Sequence, residues 1–157
     1  MLKNSIFSGV GGGFVLVMYL KDKNIVTTLN ARERAPRFST KDMFVENPGE
    51  STVGGKAVAI PGEIKGMWEL HQKYGSLPWA DLIKPNIELC KEGILVTNNL
   101  ARTFRSNAVR LMNEPSLKEI FVNPNTNDVY VEGDKVKRPK LAETLEVRLF
   151  FKFFRFF

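Results

Sequence analysis

A short charged stretch holds the residues best suited to bind a small anion. Arg32, Glu33 and Arg34 follow one another directly, and Arg37 lies three positions further on. Arginine presents a rigid, planar fork of N–H donors that matches the two oxygens of a carboxylate. The chemistry that this stretch favours is therefore carboxylate binding. The alternative is an ordinary solvated loop, whose surface charges contribute little.

Residues for nucleophilic or metal chemistry are sparse. The chain has one cysteine, Cys90, and one histidine, His71. A single cysteine excludes an internal disulfide framework and a cysteine-rich zinc site, and Cys90 is expected to be a small buried residue of a helix. Glu63 is a candidate general base, although an acid near a helix start more often interacts with the helix amides. We assign no catalytic residue, metal or cofactor from these residues.

The glycine-rich stretch SGVGGGF (8–14) raises the question of phosphate binding. Gly9 and Gly11 fit a dinucleotide fingerprint, but Phe14 stands where its last glycine belongs. The residues that follow are β-branched and aromatic, which is typical of a buried strand and not of the helix that a phosphate site needs. We therefore expect a glycine-rich entry into a core strand, where missing side chains allow close packing.

The charge distribution gives little support to nucleic acid as a partner. The net charge is +6, and residues 148–157 contribute three basic residues and no acid. A nucleic-acid footprint would show a basic stripe, often interleaved with aromatic residues. The longest apolar stretch, residues 9–20, is shorter than the roughly 20 residues that cross a bilayer. The first residues only loosely resemble a signal peptide, since no small-residue cleavage site follows.

Hydrophobic patterns predict the elements that must position the charged loop. Two β-rich runs, Phe14–Leu20 and Ile25–Leu29, flank a polar turn and predict a hairpin that ends just before Arg32. A short buried strand is expected at Ala57–Ile60. A second hairpin is expected where Val129–Val131 and Lys135–Val136 flank a glycine turn.

Periodicity and turn residues predict the helices as well. Pro85 should interrupt the second of them, because proline lacks an N–H donor and clashes with the preceding turn. The expected helical segments are Pro61–Tyr74, Leu77–Lys91 with its interruption, Asn98–Met112 and one that begins at Pro139 and runs to Val147.

Several linked motifs resemble one family. The motifs occur in a fixed order and spacing: SGVGGGF, NARERAPR, GGKAVAIPGEIKGMWELHQKYGSLPWADLIKPNIELCKEG and PKLAETLE. Together they resemble the large subunit of gamma-glutamyltransferase (glutathione hydrolase). The resemblance covers about residues 6–147, which we treat as a large-subunit fragment, and residues 148–157 form a basic, phenylalanine-rich tail unrelated to the family.

The resemblance implies a fold, an activity and a binding residue. The implied fold class is α+β, a partial αββα sandwich of the N-terminal nucleophile hydrolase type, with helices on a short incomplete sheet. The family moves the gamma-glutamyl group of glutathione to water, amino acids or peptides, without a cofactor, and acts outside the cell, at the cell surface or in the periplasm. By resemblance, Arg32 grips the alpha-carboxylate of the gamma-glutamyl group and Glu33 orients that arginine.

The departures from the family bear on activity. In the family, the nucleophile is the N-terminal threonine of a small subunit, and no threonine here has the matching context. We therefore expect the chain alone to be inactive, with glutathione or a similar compound and a small subunit as the implied partners. The alternative is a non-catalytic binding or decoy module that docks on a full-length relative. A third hypothesis, the less favoured one, is a nucleic-acid or membrane-surface binder that uses the positive charge and the tail.

Overall fold

The structure, a computed structural model, describes residues 9–150, and of residues 148–150 the backbone only. The described chain forms two compact units that divide at residue 75. Helices and short antiparallel strands are mixed in both units, which agrees with the predicted α+β class. The strands form three two-stranded sheets, where the sequence suggested one incomplete sheet.

The first unit is built on the predicted hairpin. Strand β1 (Phe14–Leu20) pairs antiparallel with β2 (Ile25–Ala31), in a register that sets Phe14 opposite Ala31. The turn between the strands is a 3-10 turn, Lys21–Lys23, followed by Asn24 in the left-handed region. Asparagine tolerates this conformation better than most residues do. The predicted hairpin is confirmed, with the second strand two residues longer than expected.

One face of the hairpin packs on helix α1 (Glu63–Tyr74), a predicted helix that begins two residues later than expected. Gly66 of this helix lies so close to the sheet that an added Cβ would collide with the Ala31 side chain and lie 3.0 Å from the Phe14 ring. The opposite face carries Val15, Val17 and Tyr19, which are 57–70% exposed. Among the described residues, strand β1 is therefore covered on one face, and the burial pattern alternates along it.

The segment between β2 and α1 holds little regular structure. It contains two short 3-10 helices, Pro48–Ser51 and Gly55–Ala57. The buried strand predicted at Ala57–Ile60 is wrong: only Ile60 pairs, in an isolated bridge with Arg34, and Val58 is 63% exposed. The apolar residues of this run have no adjacent strand to complete a ladder.

The second unit contains the remaining elements. It contains five helices and four short strands among the described residues, and the strands pair as β3 with β6 and β4 with β5. In chain order the elements are α2 (Trp79–Glu92), β3 (Ile94–Leu95), α3 (Asn98–Ser106), α4 (Ala108–Asn113), α5 (Pro115–Phe121), β4 (Val122–Asn123), β5 (Asp128–Val129), β6 (Lys135–Val136) and α6 (Pro139–Phe150).

This unit holds the apolar cores of the described residues. One core brings together Val96, which follows β3, and buried residues of α3, α4, β4, β5 and β6, with Phe104 and Phe121 in tilted ring contact at 5.3 Å. The other joins α2 and α6 through Ile87, Cys90, Ala142 and Leu145. In the first unit, by contrast, Ala31 is the one buried hydrophobic residue among those described. Stabilising burial is thus concentrated after residue 75.

Three predicted details of the second unit are wrong. Pro85 does not interrupt α2, and the side chain of Asn86 donates to the Leu82 carbonyl oxygen at 3.0 Å in the turn that proline disturbs. The helix predicted at Asn98–Met112 is broken at Asn107, whose side chain donates to the Thr103 carbonyl oxygen and so competes with helix continuation.

The third wrong detail is the hairpin expected around Gly133. The turn is present, with Gly133 at φ 89° and Val131 N–H donating to the Asp134 carboxylate. Its two arms, however, pair elsewhere: Val129 lies opposite Val122, and Val136 lies opposite Ile94. These pairings bury all four side chains, which a hairpin alone would not do.

The C-terminal helix α6 confirms the prediction that a helix begins at Pro139. Residues 148–150 of the proposed tail continue its backbone, and residues 151–157 lie outside the described residues. Within the described residues, no helix combines the length and the apolar character needed to cross a membrane.

Candidate functional site

The charged loop begins where the hairpin ends. Arg32 and Glu33 follow directly after Ala31, the last and buried residue of β2. The backbone N–H of Arg32 donates to the Asn30 side-chain oxygen at 3.0 Å, a local turn that asparagine favours. Arg34 then forms the isolated bridge with Ile60, with N···O distances of 3.0 and 2.8 Å. The loop is therefore held at its start by a hydrogen bond to the Asn30 side chain and at its end by backbone hydrogen bonds to Ile60.

Arg32 and Glu33 form an ion pair. The Nε of Arg32 lies 3.2 Å from Oε2 of Glu33, and the side chains are 62% and 23% exposed. Pairs of adjacent residues in solvent contribute little to stability. The arrangement does orient a guanidinium, because the contact is made through Nε and leaves the terminal amino groups outside this pair.

The glycine run packs against this loop. A Cβ at Gly13 would collide with the Ala31 carbonyl oxygen and lie 2.9 Å from both the Arg32 Cα and the Glu33 nitrogen. A Cβ at Gly62 would collide with the same carbonyl oxygen and lie 2.7 Å from that of Arg32. Close packing, as predicted for the glycine run, is confirmed at Gly13, whereas Gly9 and Gly11 have open space around them.

Glu63 connects the glycine run with α1. It is the first residue of the helix and is only 3% exposed. Its Oε2 accepts a hydrogen bond from the backbone N–H of Gly9 at 3.0 Å, across 54 residues of sequence. The sequence suggested a contact with the helix amides, or a general base. The structure instead places this carboxylate against a turn that comes before β1.

The other candidates for catalysis do not join this site. His71 lies in α1 and stacks on Trp68 with ring centroids 5.8 Å apart. Cys90 belongs to the second unit and is fully buried. Burial raises the pKa of the Cys90 thiol, an effect that the nearby Arg138 partly offsets, so its reactive thiolate form is disfavoured. In the part of the chain that the structure describes, no cluster of three histidine, cysteine, aspartate or glutamate residues could hold a metal ion.

The sequence indicated Arg32 and Glu33 but not the packing around them. Gly12 shows this best, because a Cβ there would lie 3.2 Å from Glu63 Oε2 and 3.7 Å from Glu33 Oε1. Two carboxylates from distant segments thus flank one glycine. The available signal was the glycine run itself, which indicates close backbone approach without showing which segment approaches.

Comparison with known proteins identifies one family over nearly the whole chain. The family model for gamma-glutamyltranspeptidase matches residues 2–148. Glutathione hydrolase proenzyme 1 of Schizosaccharomyces pombe is 41% identical over 145 residues, which are 91% of this chain and 22% of that protein. Scoloptoxin SSD14 of Scolopendra dehaani is 40% identical over 139 residues, 88% of this chain and 24% of that protein.

Solved structures of the same family resemble this chain. The gamma-glutamyltranspeptidase of Helicobacter pylori superposes with a TM-score of 0.82 at 32% identity, covering 90% of this chain and 41% of that chain. The enzyme of Pseudomonas nitroreducens gives a TM-score of 0.73 at 33% identity, with 90% and 41% covered. The fold is thus part of the N-terminal nucleophile hydrolase type. The chain spans about a quarter of the length of the curated relatives that it matches.

Proposed function

The chain belongs to the gamma-glutamyltranspeptidase family, and from this premise we propose that it supplies the carboxylate anchor of a gamma-glutamyl site. The substrate class is glutathione or another gamma-glutamyl compound. Arg32 binds the alpha-carboxylate of the gamma-glutamyl group, and Glu33 orients Arg32. The reaction is transfer of that group to water, an amino acid or a peptide.

The ion pair between Arg32 and Glu33 carries this proposal. The pair engages Nε of the guanidinium at 3.2 Å, and 62% of the Arg32 side chain is exposed. A guanidinium fixed through Nε presents its terminal amino groups to an incoming carboxylate as a parallel pair of donors. This contact restricts the orientation of the guanidinium before the ligand arrives, which lowers the entropy cost of binding.

The catalytic nucleophile is not assigned to the described residues. Cys90 is buried with a raised thiol pKa, so its nucleophilic thiolate form is disfavoured. We propose that a small subunit provides the nucleophile and that the chain alone does not turn over substrate. This division explains why the first unit can be rich in binding features without a catalytic pair.

A hybrid proenzyme tests the assignment. In it, residues 2–148 of this chain replace the matching segment of the S. pombe proenzyme. We expect it to hydrolyse a gamma-glutamyl anilide, and Arg32→Lys to raise KM about tenfold or more, because a lysine point charge cannot replace a bidentate fork. Arg34→Lys is the matched control, since Arg34 is also exposed and its bridge to Ile60 uses backbone atoms only. Equal effects of the two changes would count against the assignment.

A second candidate function is a non-catalytic module that docks on a full-length relative. The observation that favours it is the exposed apolar face of the hairpin, where Val15, Val17 and Tyr19 are at least 57% exposed. Co-purification of the tagged chain with a full-length relative, without any gain in hydrolysis, would support this function. Hydrolysis by the hybrid proenzyme would instead favour the substrate-binding role.

A further inference from the structure

The buried carboxylate of Glu63 has no place in the substrate contacts proposed for Arg32. Among the described residues it is the one buried charged side chain, at 3% exposure. Burying a carboxylate is costly unless hydrogen bonds and favourable dipoles compensate. Glu63 has both: it accepts from Gly9 N–H at 3.0 Å, and it stands at the first position of α1, where the helix dipole favours a negative charge.

Glu63 holds a complete turn of the glycine run. The turn is closed by Gly12 N–H, which donates to the Gly9 carbonyl oxygen at 2.8 Å. Its start is held by the Glu63 carboxylate through Gly9. Its end is held through the Gly12 carbonyl oxygen, which accepts from the backbone N–H groups of Gly62 and Glu63 at 3.0 Å each. One residue therefore clamps both ends of the turn, once with its side chain and once with its backbone.

The turn held by Glu63 also confines the loop that carries Arg32. The backbone of Arg32 is bounded on one side by Gly13 and on the other by Gly62, both at distances that admit no Cβ. Glu33 is confined as well, because its Oε1 and the Glu63 carboxylate both lie close to Gly12. A shift of the turn would therefore be transmitted to Arg32 through backbone contacts that no side-chain rotation can relieve.

We propose that Glu63 is a positioning residue for carboxylate binding. Its carboxylate fixes the glycine turn, and the turn fixes the backbone of Arg32 and the ion pair with Glu33. This inference rests on the proposed function, in which Arg32 binds the substrate carboxylate. It replaces the role of general base suggested for Glu63, because the residue is 3% exposed and its Oε2 accepts the hydrogen bond from Gly9.

The test compares three variants in the hybrid proenzyme. We expect Glu63→Ala to raise KM about tenfold with kcat within about twofold, since carboxylate binding acts equally on the ground and transition states. Glu63→Gln keeps an acceptor oxygen for Gly9 and should recover part of this loss, to about threefold. Glu69→Gln, an exposed acid on the same helix, should leave KM unchanged.

A double-mutant cycle separates positioning from a general loss of structure. In the Arg32→Lys background, Glu63→Ala should raise KM less than about twofold, because nothing remains to be positioned. The same tenfold rise in both backgrounds would overturn the inference. A normal KM for Glu63→Ala beside a raised KM for Arg32→Lys would overturn the positioning role alone, whereas a normal KM for Arg32→Lys would overturn the proposed function.

A second measurement does not depend on activity. In the 157-residue chain labelled with nitrogen-15, the Gly9 amide proton should exchange with solvent at least about tenfold faster in Glu63→Ala than in Glu69→Ala. Unchanged exchange at Gly9 would show that the carboxylate does not hold the turn, and the inference would fail whatever the kinetics of the hybrid.

Discussion

A single methyl group placed at Gly13 should displace the carboxylate anchor. An alanine Cβ there would meet the Ala31 carbonyl oxygen and lie 2.9 Å from the Arg32 Cα and the Glu33 nitrogen. Carbon atoms in contact are separated by about 3.5–4.0 Å. Relief therefore needs a displacement of at least roughly 0.6 Å, and backbone atoms must supply it, since no flexible side chain is involved.

The size of the effect follows from this displacement. Overpacking that forces backbone shifts costs about 1–3 kcal/mol of stability. A misplacement of about 1 Å at a reacting or binding group can cost about 100-fold in rate. For Gly13→Ala in the hybrid proenzyme we therefore expect roughly a tenfold loss of kcat/KM for a gamma-glutamyl anilide, together with a lower melting temperature.

The glycine run supplies its own control. Gly11 lies two residues earlier, and a Cβ there would meet nothing within 4 Å. Gly11→Ala should therefore keep kcat/KM within about twofold, because no contact changes and alanine restricts the unfolded chain more than glycine does. Equal losses in the two variants, or none in Gly13→Ala, would refute the close-approach argument.

Three further predictions concern other parts of the chain. The isolated chain should bind a hydrophobic dye at the exposed hairpin face, and Val17→Thr should reduce the dye fluorescence. Unchanged fluorescence in Val17→Thr would show that the dye binds at another surface. Deleting residues 151–157 should raise the soluble yield on expression, because the five phenylalanines of this segment are accompanied by only two charged residues. A lower melting temperature would show instead that the tail packs into the fold. Burial raises the pKa of the Cys90 thiol, so the unfolded chain loses this proton first as pH rises, and the free energy of unfolding should fall above the ordinary thiol pKa of about 8.5. Urea titrations at pH 7 and 10 measure this fall, and Cys90→Ala should reduce the difference in unfolding free energy between the two pH values.

Elements with a complete local pattern could be predicted from the sequence. The hairpin of β1 and β2 combines two β-rich runs with a polar turn, and α1 combines an apolar face with a glycine stop at Gly75. Their main contacts lie within a few tens of residues. Ala57–Ile60 has the composition of a strand but no partner beyond Arg34, and composition alone does not supply a partner.

Features set by distant contacts could not be predicted. The arms of the Gly133 turn pair with Val122 and Ile94 because those pairings bury more apolar surface. The helix α2 continues through Pro85, and its residues Ile87 and Cys90 pack against α6, more than 50 residues further along the chain. At the site, the motif indicated Arg32 and Glu33, whereas the clamp between Gly9 and Glu63 joins residues 54 positions apart. The spacing of residues within a short motif does not predict a contact between segments so far apart in the sequence.

Substrate discrimination by the hybrid proenzyme tests the central claim most directly. The measurement compares kcat/KM for a gamma-glutamyl anilide with kcat/KM for the analogue that lacks the alpha-carboxylate. If Arg32 binds that carboxylate, the hybrid should prefer the complete substrate by about tenfold to 100-fold, and Arg32→Ala should abolish the preference while Arg34→Ala keeps it. A preference that survives in Arg32→Ala would contradict the claim, because the carboxylate would then be bound by another residue.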